Sequence, residues 1–596
     1  MITDSAGALP KPTHQKILEN KPARDDHAHD VLSACRGIMN ISRVDVLSAC
    51  RCIMNTSKVG TVSGQVHEVV RRRGGAIDGM RQRGRQRREA DGEGAAPEVD
   101  PQHPAFPGGP TDTSLLVRYQ RHVAYHLWLG EERRPKPTLK VAAHGSKLIG
   151  WVPAMLPRQM ENWLVASGLS SLQHTSLSRV DTHLLSAFVE RWHPETSSFH
   201  MPFGEMTITL DDVSCLLHVP IRGQLVDPDV VVTDYDAIHL AVELFGVSLS
   251  DATEEASAVR GPYYKLDWLK QVFEQQRAAD NFTGAMRAYM MLLLGCTILA
   301  DKTFTLVEAK YLPLLRDLDN CGNYCWGAAA LVTLYRYLGD ASFYSCKQLG
   351  GYASLLQCWI HEYFPTVGKR GTSGLFGIDI PMARAMKWEY RQGTQKVADI
   401  RAMLDQLTPH DIAWRPFEDH RVHRPFDDIC LYRGGLKWFG TVVLYLPDRC
   451  LRQFGYRQYI PTAPPNVDTL DVDVEWATYR QSVLQVTRSH DDPPAAFATI
   501  PYETDDDYLA WYYTVSHPIL RAPRGDQPME VPVPDYDEGP SDPRLSYISH
   551  ELHHYLQRHQ AVPEDEQFLE IFRALRLAQG GPLPREGPIT YDHESD

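Results

Sequence analysis

His550-Glu551-Leu552-His553-His554 matches the H-E-x-x-H pattern, in which two histidines one helical turn apart hold zinc and the glutamate is the general base. With 25 histidines in the chain, a chance match of this kind is unsurprising. At about 100° per residue, Leu545, Ile548, Leu552 and Leu556 form the apolar stripe of the stretch, and His550 and His554 fall on the opposite, solvated face. A catalytic zinc needs a walled cleft, so no metal is assigned here. Cys321-x3-Cys325, taken with Cys346 and Cys358, lacks the tight paired spacing of zinc fingers; these cysteines are expected to be buried small apolar groups. Lys302, Lys310 and Lys347 could form a Schiff base with pyridoxal phosphate. No Gly/Ser-rich phosphate loop precedes them, and they sit in helix-like contexts. No catalytic or cofactor-binding residue is assigned.

The remaining chemistry-bearing feature is cationic. Arg71, Arg72, Arg73, Arg81, Arg83, Arg85, Arg87 and Arg88, interleaved with Gly and Gln, suit nuclear import or a salt-sensitive hold on phosphate backbones. Residues 1–90 carry 16 Lys and Arg against 9 Asp and Glu, a surplus of seven positive charges, whereas 91–596 carry 45 against 66, a deficit of 21. A basic arm precedes an acidic body, so any nucleic-acid contact is expected from the arm or a local patch.

These features must be carried by a chain of 596 residues, 43% hydrophobic and 23% charged, which is enough apolar material for a large core. At roughly 100–200 residues per domain, about two to four domains fit, as does one large core with tails. Eleven dispersed cysteines do not form the framework of a small secreted domain, and a reducing compartment is expected. The stretch MITDSAGALPKPTHQKILENK lacks the apolar centre of a secretion signal. The longest apolar run, 288–300, is 13 residues, too short to span a bilayer, and reads as a buried helix. No membrane partner is expected.

The expected fold class is mainly α: a large helical domain with a small β hairpin or sheet element, a disordered N-terminal arm and a helical C-terminal tail. Residues 1–105 form the arm; it contains a 15-residue unit twice, at 31–45 and 46–60, and its Arg, Gly, Pro and acidic residues cannot offset the entropy of ordering. From 106 to 520 apolar stripes alternate with turn signals. Leu184, Leu185, Phe188, Val189 and Trp192 fall on one helical face, as do Tyr352, Leu355, Leu356, Trp359, Ile360 and Tyr363. Helices are also predicted over 264–278, 283–300 and 326–338. Thr209 three residues before Asp212 reads as a capping box, with Val213, Leu216 and Leu217 facing the core. That helix could open a DNA-binding helix-turn-helix, but the acidic segment after it lacks a recognition helix, so a structural role is expected. Residues 430–440 read as a hairpin around Gly434-Gly435, followed by a strand over 441–446 and a short helix from Pro447 to Gly455. An acidic Pro-rich linker (521–543), a C-terminal helical pair (544–580) and a disordered tail (581–596) complete the chain.

The stretch GLSSLQHTSLSRVDTHLLSAFVERWHPETSSFHMPFGEMTITLDDVSCLLHVPIRG (168–223) resembles the plant mobile domain family, also labelled aminotransferase-like plant mobile domain. The similarity extends upstream to FPGGPTDTSLLVRYQRHVAYHLWLGEER and downstream, in collinear blocks, to LRQFGYRQYIP and DYLAWYYTVSHP, so it covers roughly 106–520. The resemblance implies a transposon-related plant protein of the maintenance-of-meristems-like group. For such a protein it implies a nuclear location and non-enzymatic roles in meristem maintenance, genome stability and transcriptional control, including transposon silencing, through binding nuclear proteins. Some relatives append a serine/threonine phosphatase domain, whose Gly-Asp-x-x-Asp-Arg and Gly-Asn-His-Glu blocks are missing from this sequence. The alternatives are a nucleic-acid-associated factor that uses the arginine arm and, third, an enzyme such as a metal-dependent hydrolase or a transferase.

Overall fold

A computed structural model describes residues 109–142, 144–227, 231–374, 381–478 and 496–521. The arginine arm with Arg71–Arg88, the duplicated unit, the linker from 522, the helical pair with its H-E-x-x-H match and the tail lie outside the described residues. In chain order the α-helices are α1 (Val123–Trp128), α2 (Arg158–Ala166), α3 (Thr182–Val189), α4 (Leu210–Leu217), α5 (Asp234–Leu240), α6 (Leu249–Ser257), α7 (Leu266–Ala278), α8 (Phe282–Cys296), α9 (Trp326–Ser342), α10 (Ala353–Tyr363), α11 (Val397–Leu404), α12 (Val472–Thr478) and α13 (Tyr508–Val515). The strands are β1 (Lys140–Val141), β2 (Trp192–His193), β3 (Ser198–Met201), β4 (Gly204–Met206), β5 (Tyr263–Lys265), β6 (Leu306–Glu308), β7 (Gln348–Leu349), β8 (Arg370–Thr372), β9 (Trp388–Tyr390), β10 (Gly434–Trp438) and β11 (Thr441–Tyr445). Helix dominates and the sheets have two or three strands, the mainly α class expected.

The core is built on α8, α9 and α10. A helix apolar on every face must be covered on every face, and α10 is buried at all its positions while α9 is exposed only near its end. The apolar run 288–300 supplies most of α8, whose start is capped by Asn281 Oδ1 accepting the Gly284 N–H. Among the described residues no helix is long and apolar enough to cross a membrane. Trp192, Trp326 and Trp359 are the largest fully buried side chains, and Trp359 stacks on Phe199, joining α10 to the β2-β3-β4 sheet.

Two strand readings need correction. Trp192 is not on the helix with Leu184 and Phe188: α3 stops at Val189 and Trp192 opens β2, pairing with Phe199. A short apolar run cannot be told from a buried strand by period alone, and here both faces are buried. The hairpin turn falls at Phe439-Gly440, with Phe439 at φ 49°, and not at Gly434-Gly435. Those glycines lie inside β10, where they permit close approach; a Cβ on Gly435 would stand 2.7 Å from Val472 Cγ2. The lysines also depart from the helix-like contexts expected. Lys302 sits in a bend and Lys347 before β7, and only Lys310 is in a helical turn, of 3-10 type.

Helix α4 has the predicted capping box: Thr209 Oγ1 accepts the Asp212 N–H at 3.2 Å and Asp212 Oδ2 accepts the Thr209 N–H at 2.6 Å. Every residue of α4 is buried, Asp211, Asp212 and Ser214 included, so none of its faces is open to a DNA groove.

Candidate functional site

The described residues that come together with reactive potential are four histidines from three separated segments. His122 precedes α1, His193 and His200 lie in β2 and β3, and His517 follows α13. All four are buried, at 2%, 1%, 0% and 0% exposure. β2 and β3 pair directly, which sets His193 opposite Ser198 and brings the imidazole of His200 to 4.5 Å from that of His193. The end of the domain is brought in by Tyr512, whose hydroxyl donates to Met201 O at 2.9 Å, and its beginning by Asp112 N–H, which donates to Thr514 O at 2.9 Å. Leu116, Tyr119, Val123, Ala124, Leu127 and Leu520 then form a small apolar cluster over this joint.

All four rings are hydrogen-bonded. His122 caps α1: its Nδ1 accepts the Ala124 N–H at 3.1 Å, so its proton is on Nε2, which donates to Trp192 O at 2.8 Å. His200 engages Ser516 Oγ at 2.7 Å through Nδ1 and Thr196 Oγ1 at 3.1 Å through Nε2. His193 Nε2 and His517 Nε2 are hydrogen-bonded to each other. His122 stacks on His193 with ring centroids 4.0 Å apart, and Tyr119 stacks on His517. Burial penalises the cationic form: it pushes His122 down to about 3 and His200 to about 4, the latter against the pull of Glu205, and holds His193 and His517 well below the ordinary range. All four are therefore neutral imidazoles at neutral pH.

A frame of buried ion pairs surrounds them. Arg449 donates to both oxygens of Glu205, at 2.6 and 2.7 Å, and Ser198 Oγ adds a third bond at 2.6 Å. Burial alone would raise the Glu205 carboxyl, but Arg449 outweighs it and holds the group below its usual range. Arg191 pairs with Asp405 and donates to His200 O and Pro518 O, both at 3.1 Å. Arg401 bridges Glu190 and Glu132, fastening α11 to the ends of α3 and the N-terminal segment.

This arrangement can hold a proton between neutral rings or offer nitrogen lone pairs to a metal. Ligand atoms of His122, His193 and His517 all lie within 4.8 Å of one another. Two surface grooves, of about 430 and 420 Å³, lie elsewhere. In the first, Asp181 and His183 are already engaged: Asp181 caps α3, and His183 Nδ1 accepts the Val397 N–H.

The four cysteines do not converge. Cys321, Cys325 and Cys358 are buried, Cys346 partly so, and their thiols meet four different carbonyls, those of Leu318, Ile221, Ala385 and Gln348. Burial pushes the Cys321 thiol up to about 11 and Cys325 to about 12. Lys302 pairs with Asp340 and Lys310 with Glu308. The histidine cluster itself was missed by sequence reasoning. Its members stand in the blocks RYQRHVAYHLW, ERWHPETSSFHM and TVSHP, but as isolated residues up to 395 positions apart, with no spacing to link them.

Residues 168–513 match the family model described as Plant mobile domain. The chain belongs to the plant mobile domain family. It is 34% identical over 430 residues to Protein MAIN-LIKE 1 of Arabidopsis thaliana, covering 68% of this chain and 79% of that protein. It is 30% identical over 429 residues to Protein MAINTENANCE OF MERISTEMS of the same plant, covering 68% and 83%. A third relative, Serine/threonine-protein phosphatase 7 long form homolog, is 29% identical over 445 residues, but these amount to only 32% of its length. No solved structure matches. His193 and His200 fall within the matched span, whereas His122 and His517 flank it.

Proposed function

We propose that this chain is a non-enzymatic nuclear protein that acts in meristem maintenance, genome stability and transcriptional and transposon silencing by binding other nuclear proteins. The name of its relative MAINTENANCE OF MERISTEMS supports the biological setting. The observation that carries the molecular reading is how the buried charges are spent. Arg191, Arg384, Arg401, Arg433 and Arg449 are each held by a buried carboxylate within the domain, so they fasten segments together and are not offered to a substrate. Function then falls to the surface and the flanking segments.

The arginine arm supports a second reading, contact with nucleic acid, because an acidic body would repel phosphate while eight arginines within residues 71–88 attract it. Affinity purification of the full chain from plant nuclei, with and without nuclease, tests the first reading against the second. Protein partners that survive nuclease support the scaffold, and partners lost wholesale overturn it in favour of nucleic-acid tethering. Deleting 71–88 is expected to reduce nuclear accumulation; unchanged localisation would remove the import role.

A further inference from the structure

We propose that His193 and His517, completed by His122, bind a transition-metal ion of the zinc class, which clasps the two ends of the domain to its central sheet. This goes beyond the scaffold reading and does not depend on it.

The argument starts from proton counting. Only one proton can stand between His193 Nε2 and His517 Nε2, so one ring donates and the other accepts. His193 Nδ1 lies 4.0 Å from Glu195 Oε2, so the carboxylate's charge favours the single proton of neutral His193 on Nδ1 and leaves its Nε2 as the acceptor. His517 is then the donor at Nε2, and its Nδ1 is a bare lone pair. That nitrogen is buried and has no hydrogen-bond partner, and Glu195 Oε2 is also buried without one. A buried imidazole nitrogen and a buried carboxylate oxygen, each left without a hydrogen-bond partner, are costly in a metal-free core. A divalent cation accepts nitrogen lone pairs, and its charge is offset by the buried carboxylate oxygen of Glu195. Glu195 stands beside His193 in the position of the carboxylates that orient zinc-bound histidines.

Geometry and donor type narrow the ion. Zinc–nitrogen bonds of about 2.0–2.1 Å in a tetrahedron put ligand nitrogens about 3.3 Å apart. The three candidate atoms already lie within 4.8 Å of one another, and closing the site requires the stacked rings of His122 and His193 to turn so that their lone pairs converge. His122 joins through Nδ1, its nitrogen without a proton, giving up the Ala124 N–H while Nε2 keeps its bond to Trp192 O. Three imidazoles with no thiolate suit zinc, cobalt, nickel or copper, and the set is wrong for the oxygen-seeking calcium and magnesium.

The test uses the full chain, stripped with chelator and reloaded with Co²⁺ as a spectroscopic probe and with Zn²⁺. One equivalent of metal, a four-coordinate Co²⁺ absorption spectrum and a rise in melting temperature on Zn²⁺ addition are expected. His193→Ala and His517→Ala should each weaken binding at least tenfold, while His126→Ala and His554→Ala leave it unchanged. If the first two variants do not fold, the wild-type stoichiometry and spectrum still decide. No retained Co²⁺ and no thermal shift in the wild type would overturn the site, as would metal that disappears with His554→Ala and survives His517→Ala.

Discussion

Asp405 receives the fully buried guanidinium of Arg191 on Oδ1 and, on the same carboxylate, the Leu520 N–H and Arg521 Nε, each at 3.0 Å. One side chain at the end of α11 thus fixes the junction of α3 with β2 and the last residues of the domain. The two cations are not equivalent, since the Arg521 side chain is 47% exposed.

Removing Asp405 leaves Arg191 buried and unpaired. Asp405→Ala is therefore expected to cost about 3–5 kcal/mol. Arg521→Ala, which breaks a solvent-screened pair, should cost less than about 1 kcal/mol. Urea unfolding of the two variants beside the wild type checks the contrast; equal losses would show that Arg521 and not Arg191 defines the joint.

The capping box of α4 gives a second test. Thr209→Ala removes the acceptor for the Asp212 N–H and should cost about 1–2 kcal/mol, whereas Thr209→Ser keeps the oxygen and should be close to neutral. Burial pushes the Asp212 carboxyl up to about 7 despite its bonds to Thr209, so this box works without a fully committed negative charge. Asp212→Asn, of the same shape, is expected to be milder than Asp212→Ala in the same unfolding measurement.

That box was legible in the sequence because it is local: Thr209 and Asp212 are three residues apart, and the apolar period that follows them needs no partner to be recognised. The same holds for α8 and α10, whose stripes sit within one element. What was not legible depended on chain crossing. Trp192 looked helical because Glu190 and Arg191, which end the helix by turning into buried pairs, find their partners Arg401 and Asp405 more than 200 residues later. Gly434 and Gly435 looked like a turn because glycine has two uses, and only the packed neighbour Val472 shows which one applies. The histidine cluster was invisible for the same reason, since no local rule joins residue 122 to 517.

Acid sensitivity is expected from a second histidine pair. His218 Nε2 and His420 Nε2 are 2.8 Å apart. Burial, then the charges of Arg424 and neighbouring histidines, hold His218 down at about 3; burial, then Arg384, His423 and Arg424, against the pull of Asp419, hold His420 at about 4. Both lie below the ordinary 6.5, so below that pH the unfolded chain binds more protons than the folded one. Their contribution to stability is complete above pH 6.5 and drains away as pH falls toward 4 and then 3. The urea midpoint should decline across this window, and less so in His218→Gln/His420→Gln. An unchanged slope in the double variant would assign the acid response to other groups.

Gly284 sets two magnitudes against each other. It lies in the first turn of α8, where replacing glycine by alanine usually stabilises a helix by about 1 kcal/mol. Here the added methyl would fall against the Phe245 carbonyl, whose carbon is 2.9 Å away, and against Asn281 Nδ2 at 2.6 Å. Both obstacles are structural: Phe245 closes the π-helical turn Ala241–Phe245, and Asn281 is the cap that accepts the Gly284 N–H. Overpacking that moves backbone costs about 1–3 kcal/mol, and loss of the Asn281 cap adds about 1 kcal/mol, so the penalty exceeds the helical gain. Gly284→Ala is predicted to lower the melting temperature, and a rise would mean that α8 can slide away from the Phe245 carbonyl without losing its cap.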